Sequence, residues 1–593
     1  MKQLGQRPDG RRSPERGNAP LPILFARRVF GSFSSHPDRY LVLAVALAAL
    51  LFYGLSAVPD ANGGNWGEFQ TFGYIGGIAH SPTYPLLTGS IWLVGHVFAF
   101  LEPAHAANLT NAGFAAVATV LLFVAARDLA GGNVAALVAA AVFSTAYSTW
   151  DQAVQAEVFS LQTALLLGVV VALRSYHRRP SPLGVALVLF ATGLSLTNHG
   201  LSIFMAPATI GYLLIARPRP RPSVRDVVGF AAAFVLGLSP WLYLLRARLF
   251  SVAISAPENE TLFGLREILY LVVGKPFADT EGGGILALIL SDPGMLSLRG
   301  DVFLTGLLRD FGWPFLLIAV LGLSLIFRHD SRFGGWILFT AFFSGLFAFT
   351  YPILDYARYF TIHVALVSLG LAVGIAGLAR LATRLIERTS SSAGRVGSPV
   401  VASLLIILAT THVAGQVGGE AGSVVAGHRD HAAIMTEHGV RQLLHMEPDS
   451  VYMVDWTSSW HTRYLVYARQ MFREKGIDIR TVNYGTMGIE QAEDILFGGR
   501  HLYLQRTTEE YDRDFNVIPE GAFFQAFLPL EFADGDLVKG SDEKIYLISD
   551  GARRWIPTGE IFLAYGLRWD RVRQIDDRDL NGISIGPDLP DPR

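Results

Sequence analysis

The sequence predicts an α-helical polytopic membrane protein of about eleven spans, followed by an α/β domain and a small β-rich module. Three observations carry that prediction. Of 593 residues, 51% are hydrophobic and 17% charged, where a soluble domain carries roughly a quarter charged. The charge is uneven, sparse from Leu41 to Gln416 and dense from His428 to Arg593. Basic clusters recur between the apolar runs: Arg174, His177, Arg178 and Arg179; then Arg217, Arg219 and Arg221; then Arg328 and Arg332; then Arg380, Arg384 and Arg388. One side of a membrane holds all of them if the spans are counted accordingly. A net charge of −2 gives no reason to expect nucleic-acid binding. The chain has no cysteine, which excludes disulfides, thiolate catalysis and cysteine-ligated metal.

Taken in order, residues 1–39 hold eight basic residues against three acids, with proline and glycine among them. This predicts a disordered cytoplasmic tail. The first span is then about 40–58, and Asp60 emerges outside. Placing the four basic clusters inside sets the remaining spans near 107–126, 131–149, 159–174, 183–197, 201–216, 226–245, 310–327, 334–350, 358–378 and 398–417. Tyr84–Leu101 is apolar enough to resemble another crossing, but a crossing there would put Arg174–Arg179 outside. It therefore reads as a helix along the outer interface, opened by Pro82 and Pro85 and anchored by Trp92. The outer loops are 59–106, 150–158, 198–200, 246–309 and 351–357. Glycines within the spans, Gly370 and Gly374 among them, read as sites of close helix packing.

The first outer loop carries the densest chemistry. DANGGNWGEFQTFGYIGGIAHSPTYPL, Asp60 to Leu86, has two carboxylates, one histidine, five aromatics and six glycines, and no lysine or arginine. It is too polar to span, and Glu68 is its central acid. Glu157, beside Asp151 in TWDQAVQAEVFSLQ, is open to two readings: a helix-start carboxylate favoured by the dipole, or a second acid brought near Glu68. His80 and His199 are each open to a binding or a structural reading. HRDH at His428–His431 reads as a solvated helix start. Outward basic residues run against the positive-inside bias: Arg246 and Arg248, Lys275, and Arg358. Each has a local pairing reading, such as Arg358 with Asp355. As a set they form an electropositive pocket suited to a phosphate-bearing lipid.

GNWGEFQTFGYIGGIAHSPTYPL resembles the first-loop signature of a bacterial family of multi-pass membrane proteins, approximately D-x-G-E-F followed by a histidine and a proline-rich turn. QAEVF, TNHGL, GKPF, the Arg358–Tyr359 pair and the stretch from Val440 to Asn483 are similar to it in turn. That family groups with the GT-C glycosyltransferases, whose eukaryotic relatives include a protein O-mannosyltransferase. The resemblance implies a GT-C-like membrane domain at 40–417 in a bacterial inner membrane, N-terminus cytoplasmic and C-terminal domain extracytoplasmic. It implies transfer of a sugar from a polyprenyl-phosphate donor to a protein or glycan hydroxyl on the outer face. Glu68 is then the catalytic base, with Asn65, His80, Tyr84, Glu157, His199, Arg246, Lys275, Arg358 and Tyr359 lining the substrate site. The sequence departs from the signature at Asn65, where the family offers an aspartate. With one acid left, no metal ligand is assigned and no cofactor is established, a divalent metal included. Three rivals are a glycan polymerase or ligase, a lipid-linked sugar transporter and a non-catalytic scaffold.

Behind the membrane domain, residues 418–533 predict an α/β domain. Strands are expected at Ser450–Asp455, Asp478–Asn483 and His501–Gln505, with an amphipathic helix at Trp460–Glu474. The alternation suggests a parallel, Rossmann-like sheet with Trp456, Ser458, Ser459 and His461 at the carboxyl end of its first strand. Residues 534–593, with short alternating strands around Trp555 and Trp569, form the β-rich module, for wall, glycan or protein contacts.

Overall fold

The computed structural model describes residues 36–80, 82–216, 222–245, 293–351, 356–389, 394–470, 479–483, 487–528, 532–575 and 577–592. Nearly all of the expected tail and most of the expected loop 246–309, with Arg246 and Lys275, lie outside the described residues.

A helix stands at each stretch expected to cross. These are α1 (His36–Ser56), α4 (Pro103–Ala130), α5 (Asn133–Thr145), α7 (Val158–Arg178), α8 (Pro182–Leu196), α9 (Ser202–Ala216), α10 (Val224–Gly237), α11 (Pro293–His329), α12 (Ser331–Thr350), α13 (Thr361–Thr389) and α14 (Gly394–Gly418). Among the described residues, six helical segments are long and apolar enough to cross a membrane: Asp38–Ser56, Pro103–Ala130, Val158–Arg178, Gly294–His329, Ser331–Thr350 and Tyr356–Ile386. α4, α7 and α13 lie at the centre, where Leu122, Phe123, Leu167, Val170, Ala365 and Leu369 share one buried apolar cluster. α11 and α13 touch through their backbones. A Cβ on Gly322 would sit 1.7 Å from the Gly370 carbonyl, and one on Gly374 would sit 2.0 Å from the Ile318 carbonyl. Only glycine permits that approach.

One stretch expected as loop is helical: α2 (Gly64–Ile75) occupies the middle of 59–106, and α3 (Pro85–Val97) follows it within the stretch expected as an interfacial helix. A short helix, α6 (Tyr147–Ala153), runs from the end of the expected span 131–149 into the loop 150–158. α11 begins at Pro293, well before the expected 310, and breaks at Gly312 (φ +65), two residues before Pro314. Its early part carries Arg299, whose Nη1 donates to the carbonyls of Ala348, Phe349 and Tyr351 at 3.2, 3.2 and 2.6 Å. These are orphan carbonyls at the end of α12, where a cation is favoured.

Beyond the bundle, α15 (Glu420–His445) leads to β1 (Ser450–Val454), α16 (Trp456–Arg463), β2 (Ile479–Asn483), α17 (Ile489–Phe497), β3 (Leu502–Leu504), α18 (Glu509–Asp514), β4 (Asn516–Glu520) and β5 (Phe523–Phe527). The sheet order is β2-β1-β3-β5-β4. β1 pairs in parallel with β2 and β3, as the strand–helix alternation predicts, but β5 is antiparallel to both β3 and β4. The sheet is therefore mixed rather than parallel. The departure is a hairpin turning at Gly521, φ +70, a backbone setting glycine adopts without strain. A second five-stranded sheet is built from β6 (Leu537–Lys539), β7 (Ile545–Ser549), β8 (Ala552–Trp555), β9 (Val572–Gln574) and β10 (Ser584–Ile585).

The first sheet's domain is fastened to the bundle. Ala61 and Ala104 share a buried cluster with Leu443, Tyr452, Val454, Tyr464 and Phe523. Trp460 is fully buried, edge-on to Phe72 of α2. Tyr464 donates its hydroxyl to Glu102, the N-cap of α4, and accepts from the Ala104 amide at 2.9 Å.

Candidate active site

Local sequence sets α2 in place. Glycines bracket it: Gly63 is the extended N-cap, and Gly76 ends the helix in the left-handed region at φ +73, as C-terminal glycines do. Gly67 lets α2 lie against two neighbours, since a Cβ there would stand 2.4 Å from the Asn62 carbonyl and 3.1 Å from Trp460 Cβ. One residue on, Glu68 is fully buried.

The Glu68 carboxylate closes onto His80. Oε1 accepts from the His80 backbone amide at 2.7 Å, and Oε2 meets the imidazole Nδ1 at 2.5 Å. The other ring nitrogen, Nε2, lies 3.3 Å from the Tyr84 hydroxyl. The turn holding these groups is strained. Thr83 and Tyr84, neither of them glycine, both have positive φ, +79 and +44, a setting that costs on the order of 1–3 kcal/mol per residue. A β-branched residue there is a genuine outlier, and the Thr83 hydroxyl is buried without a hydrogen-bond partner among the described residues. Burial lowers the His80 pKa, but the Glu68 charge and hydrogen bond, aided by Glu157, outweigh it and hold the imidazole above its ordinary value.

The loop at 150–158 folds against that at 59–106 through buried amides. Gln70 Nε2 donates to Asn108 Oδ1 at 3.0 Å, and the same oxygen accepts from the Ala156 amide at 2.8 Å. Asn62 donates to Gln155, and Asn111 reaches the Gln152 carbonyl at 2.5 Å. These contacts tie the two loops together, while Asn62 Oδ1, Asn111 Oδ1 and Gln155 Nε2 are buried without a partner among the described residues, and the arrangement delivers Glu157. Its carboxylate caps α7 through the Val158 amide at 2.8 Å and binds Arg358 Nη1 at 2.8 Å. Glu157 does start a helix but is buried rather than solvated, and its charge is felt at His80. Arg358 pairs with Glu157, whereas Asp355 lies outside the described residues.

Aromatic contacts join these parts. The rings of Tyr84 and His199 stand 6.1 Å apart, and those of His199 and Tyr359 5.3 Å apart. Burial, with the His80 charge adding, pushes His199 down to about 3, so it is neutral at ordinary pH. The Arg358 guanidinium lies 4.6 Å over the Trp66 ring, a cation–π contact. Trp66 in turn meets the His428 ring at 5.9 Å, and His428 Nε2 lies 2.7 Å from Asp151. HRDH thus lies inside α15 rather than at its start; Arg429, Asp430 and His431 are exposed, whereas His428 is half-buried and faces the loop that carries Glu157. Burial works against the Asp151 charge, but the His428 hydrogen bond and charge, with Arg358, outweigh it and keep its carboxyl below the usual range.

Glu68, His80, Tyr84, Glu157, His199, Arg358 and Tyr359 therefore converge. Asn65 is half-buried one helical turn before Glu68. Arg246 and Lys275 lie outside the described residues. Sequence reasoning missed Trp66, Thr83, His428 and the amide network. The readable signal for the network was a set of amides, Asn108 and Asn111 among them, on an otherwise apolar helix.

Residues 66–221 match the family described as Protein O-mannosyl-transferase TMEM260 N-terminal domain. The protein O-mannosyl-transferase TMEM260 of Mus musculus is 31% identical over 208 residues, 34% of this chain and 29% of that protein. Its counterpart in Dictyostelium discoideum is 22% identical over 421 residues, 64% of this chain and 50% of that protein. The chain thus spans half or less of these curated relatives. Among solved structures, ArnT from Cupriavidus metallidurans bound to undecaprenyl phosphate aligns with a TM-score of 0.48 at 14% identity, over 83% of this chain and 98% of that one. The Archaeoglobus fulgidus oligosaccharyltransferase tethered with an acceptor peptide aligns at 0.43 and 13%, over 78% and 69%. Over residues 66–221, which hold Glu68, His80, Tyr84, Glu157 and His199, the chain is similar to the N-terminal domain of the TMEM260 protein O-mannosyl-transferases.

Proposed function

We propose that the protein is a GT-C-type membrane glycosyltransferase that moves a sugar, mannose first among candidates, from a polyprenyl-phosphate donor to a hydroxyl of a protein or glycan. The observation that carries this reading is the buried Glu68–His80–Tyr84 array, beside the Glu157–Arg358 pair, on the segment similar to the named O-mannosyl-transferases. The family signature asks for an acid at Glu68 and a histidine near the turn, and here the two form one unit.

In this reading the acceptor oxygen attacks the anomeric carbon as the sugar–phosphate bond breaks, inverting the configuration. The acceptor proton passes to the Glu68–His80 unit, help worth roughly 10²–10⁴-fold. The phosphate leaves with its own negative charge, so positive charge suffices to stabilise it. Arg358, with Arg246 and Lys275, supplies that charge. Because Glu157 holds the Arg358 guanidinium at 2.8 Å, the incoming phosphate competes with Glu157 for it, coupling donor arrival to release of the arginine. At Glu68 the donor set is one carboxylate already closed onto one imidazole. It does not match a divalent-metal site, and no step is drawn through a metal. Eleven crossings, an outward-facing site and a bacterial inner membrane complete the proposal.

Purified full-length protein in nanodiscs, incubated with a panel of polyprenyl-phosphate sugars and serine/threonine peptides, is expected to consume one donor and label a peptide. A folded preparation that consumes no donor in the panel refutes the reading.

A further inference from the structure

The end of the bundle remote from Glu68 holds a cavity of about 620 Å³. α7 separates the two regions: Glu157 precedes its first residue and Arg174 lies near its end. Its 21 residues rise roughly 30 Å at 1.5 Å each. The cavity is therefore not the place where the proposed donor reacts, and its role is independent of the proposed activity.

Its walls are of two kinds. Leu321, Leu325, Val373 and Leu378 make an apolar slot between α11 and α13, two helices that include membrane-crossing segments. Gly377 shapes the slot, since a Cβ there would stand 2.8 Å from Leu325 Cδ1. At the other side are guanidinium-bearing residues. Arg174 is already neutralised, at 2.8 Å from both Asp128 and Asp330. Arg380 and Arg384, also lining the cavity, have no ion pair with a carboxylate among the described residues, and Arg380 meets only the Ala130 carbonyl at 3.2 Å. They are four residues apart on α13 and so share a helix face. Asp128 and Asp330, the latter also lining the cavity, thus balance Arg174 and Arg178, which stands 3.0 Å from Asp128, and leave two positive charges beside a hydrocarbon slot.

We propose that this slot is a specific site for an anionic phospholipid, whose phosphate is held by Arg380 and Arg384 and whose acyl chains begin between α11 and α13. Guanidinium forks match phosphate oxygens. Basic pockets between transmembrane helices are the setting in which anionic head groups are recognised. The volume suits a head group and the first part of its chains, within the range of roughly 300–1,000 Å³ of ligand sites.

The test uses the full-length chain, delipidated in detergent, with phosphatidylglycerol, phosphatidylcholine and inorganic phosphate as probes. Binding is read by native mass spectrometry and by the shift in thermal unfolding. Phosphatidylglycerol is expected to bind and stabilise; phosphatidylcholine and inorganic phosphate are not. R380Q/R384Q is expected to weaken phosphatidylglycerol binding roughly thirtyfold, while R380K/R384K, which keeps the charge, retains most of it. Equal binding of the two lipids makes the slot ordinary lipid contact and overturns the proposal. Equal protection by inorganic phosphate makes it a free-anion site and also overturns it. Unchanged affinity in a folded R380Q/R384Q protein removes the two arginines from the site.

Discussion

Replacing Glu68 with glutamine is the sharpest perturbation the site offers. Glutamine keeps the shape and still presents an oxygen to the His80 amide, which the Glu68 Oε1 meets at 2.7 Å. It loses the charge and turns the ionic contact at Nδ1 into a neutral one. A hydrogen bond to a charged group is worth about 1.5–3 kcal/mol and a neutral one about 1, so the variant should lose about 1–2 kcal/mol and remain folded. Transfer should fall by about 10²–10⁴, the range for removing a general base. The charge loss has a second signature. His80 is held above its ordinary value against burial by Glu68. A histidine raised in this way stabilises the fold fully at low pH and loses that contribution as pH rises through its folded pKa. In Glu68→Gln only burial and the weaker Glu157 influence remain, so that loss should shrink or reverse. The assay is single-turnover transfer from the identified donor in nanodiscs, with unfolding temperature measured across pH in parallel. Wild-type transfer by a folded Glu68→Gln protein would refute the role of Glu68, whatever the pH profile shows.

Arg358→Gln leaves Glu157, its side chain 2% exposed, without its 2.8 Å partner, and should cost about 3 kcal/mol. Arg358→Gln combined with Glu157→Gln should recover over half of that in chemical unfolding, and no recovery would show that the pair is not what stabilises the contact. Gly67→Ala forces a Cβ to 2.4 Å from the Asn62 carbonyl and 3.1 Å from Trp460. It should cost about 1–3 kcal/mol and speed proteolysis between α15 and β1; an unchanged cleavage rate argues against that seam. Burial pushes Glu102 up to about 7, so its contribution is present in acid and lost as pH rises through 7. Glu102→Gln should flatten the fall in unfolding temperature between about pH 4.5, the ordinary value, and about pH 7, and an unaltered slope there rules Glu102 out. The chain lacks cysteine, so Phe100→Cys, at a position 82% exposed, and Glu437→Cys report sidedness cleanly. Both should react with impermeant maleimide from outside, and labelling of either from within reverses the proposed orientation.

Helix placement was legible because a span is a local property: a long apolar run flanked by basic residues places itself, as at Val158–Arg178 with His177 and Arg178 in its last turn. The site was legible where chemistry ran against its setting. A carboxylate among glycines and aromatics, and an arginine where the positive-inside bias disfavours one, pointed to Glu68 and Arg358. Other features were not legible because they are settled by partners far along the chain. Asn62 meets Gln155 across 93 residues, and Asp151 meets His428 across 277. No window of sequence shows such a pairing, and HRDH read alone reads as solvated. The early start of α11 escaped for a related reason. Its first turns hold Arg299 and Asp301, polar enough to pass for loop, until Arg299 finds the carbonyls ending α12.

The contact between His428 and Asp151 also sets an order in time. During synthesis Glu68, His80 and Glu157 leave the ribosome long before α15 exists, and the Trp66–Arg358 face stays uncovered until it does. A chain cut between residues 360 and 420 would keep the first-loop motif, Glu157, Arg358 and the whole stretch 66–221 that matches the family, yet it would lack the imidazole that Asp151 and Trp66 meet. Such fragments are therefore unfinished rather than minimal, and a screen for activity in shortened chains would return silence from sequences that carry every signature residue of the first loop.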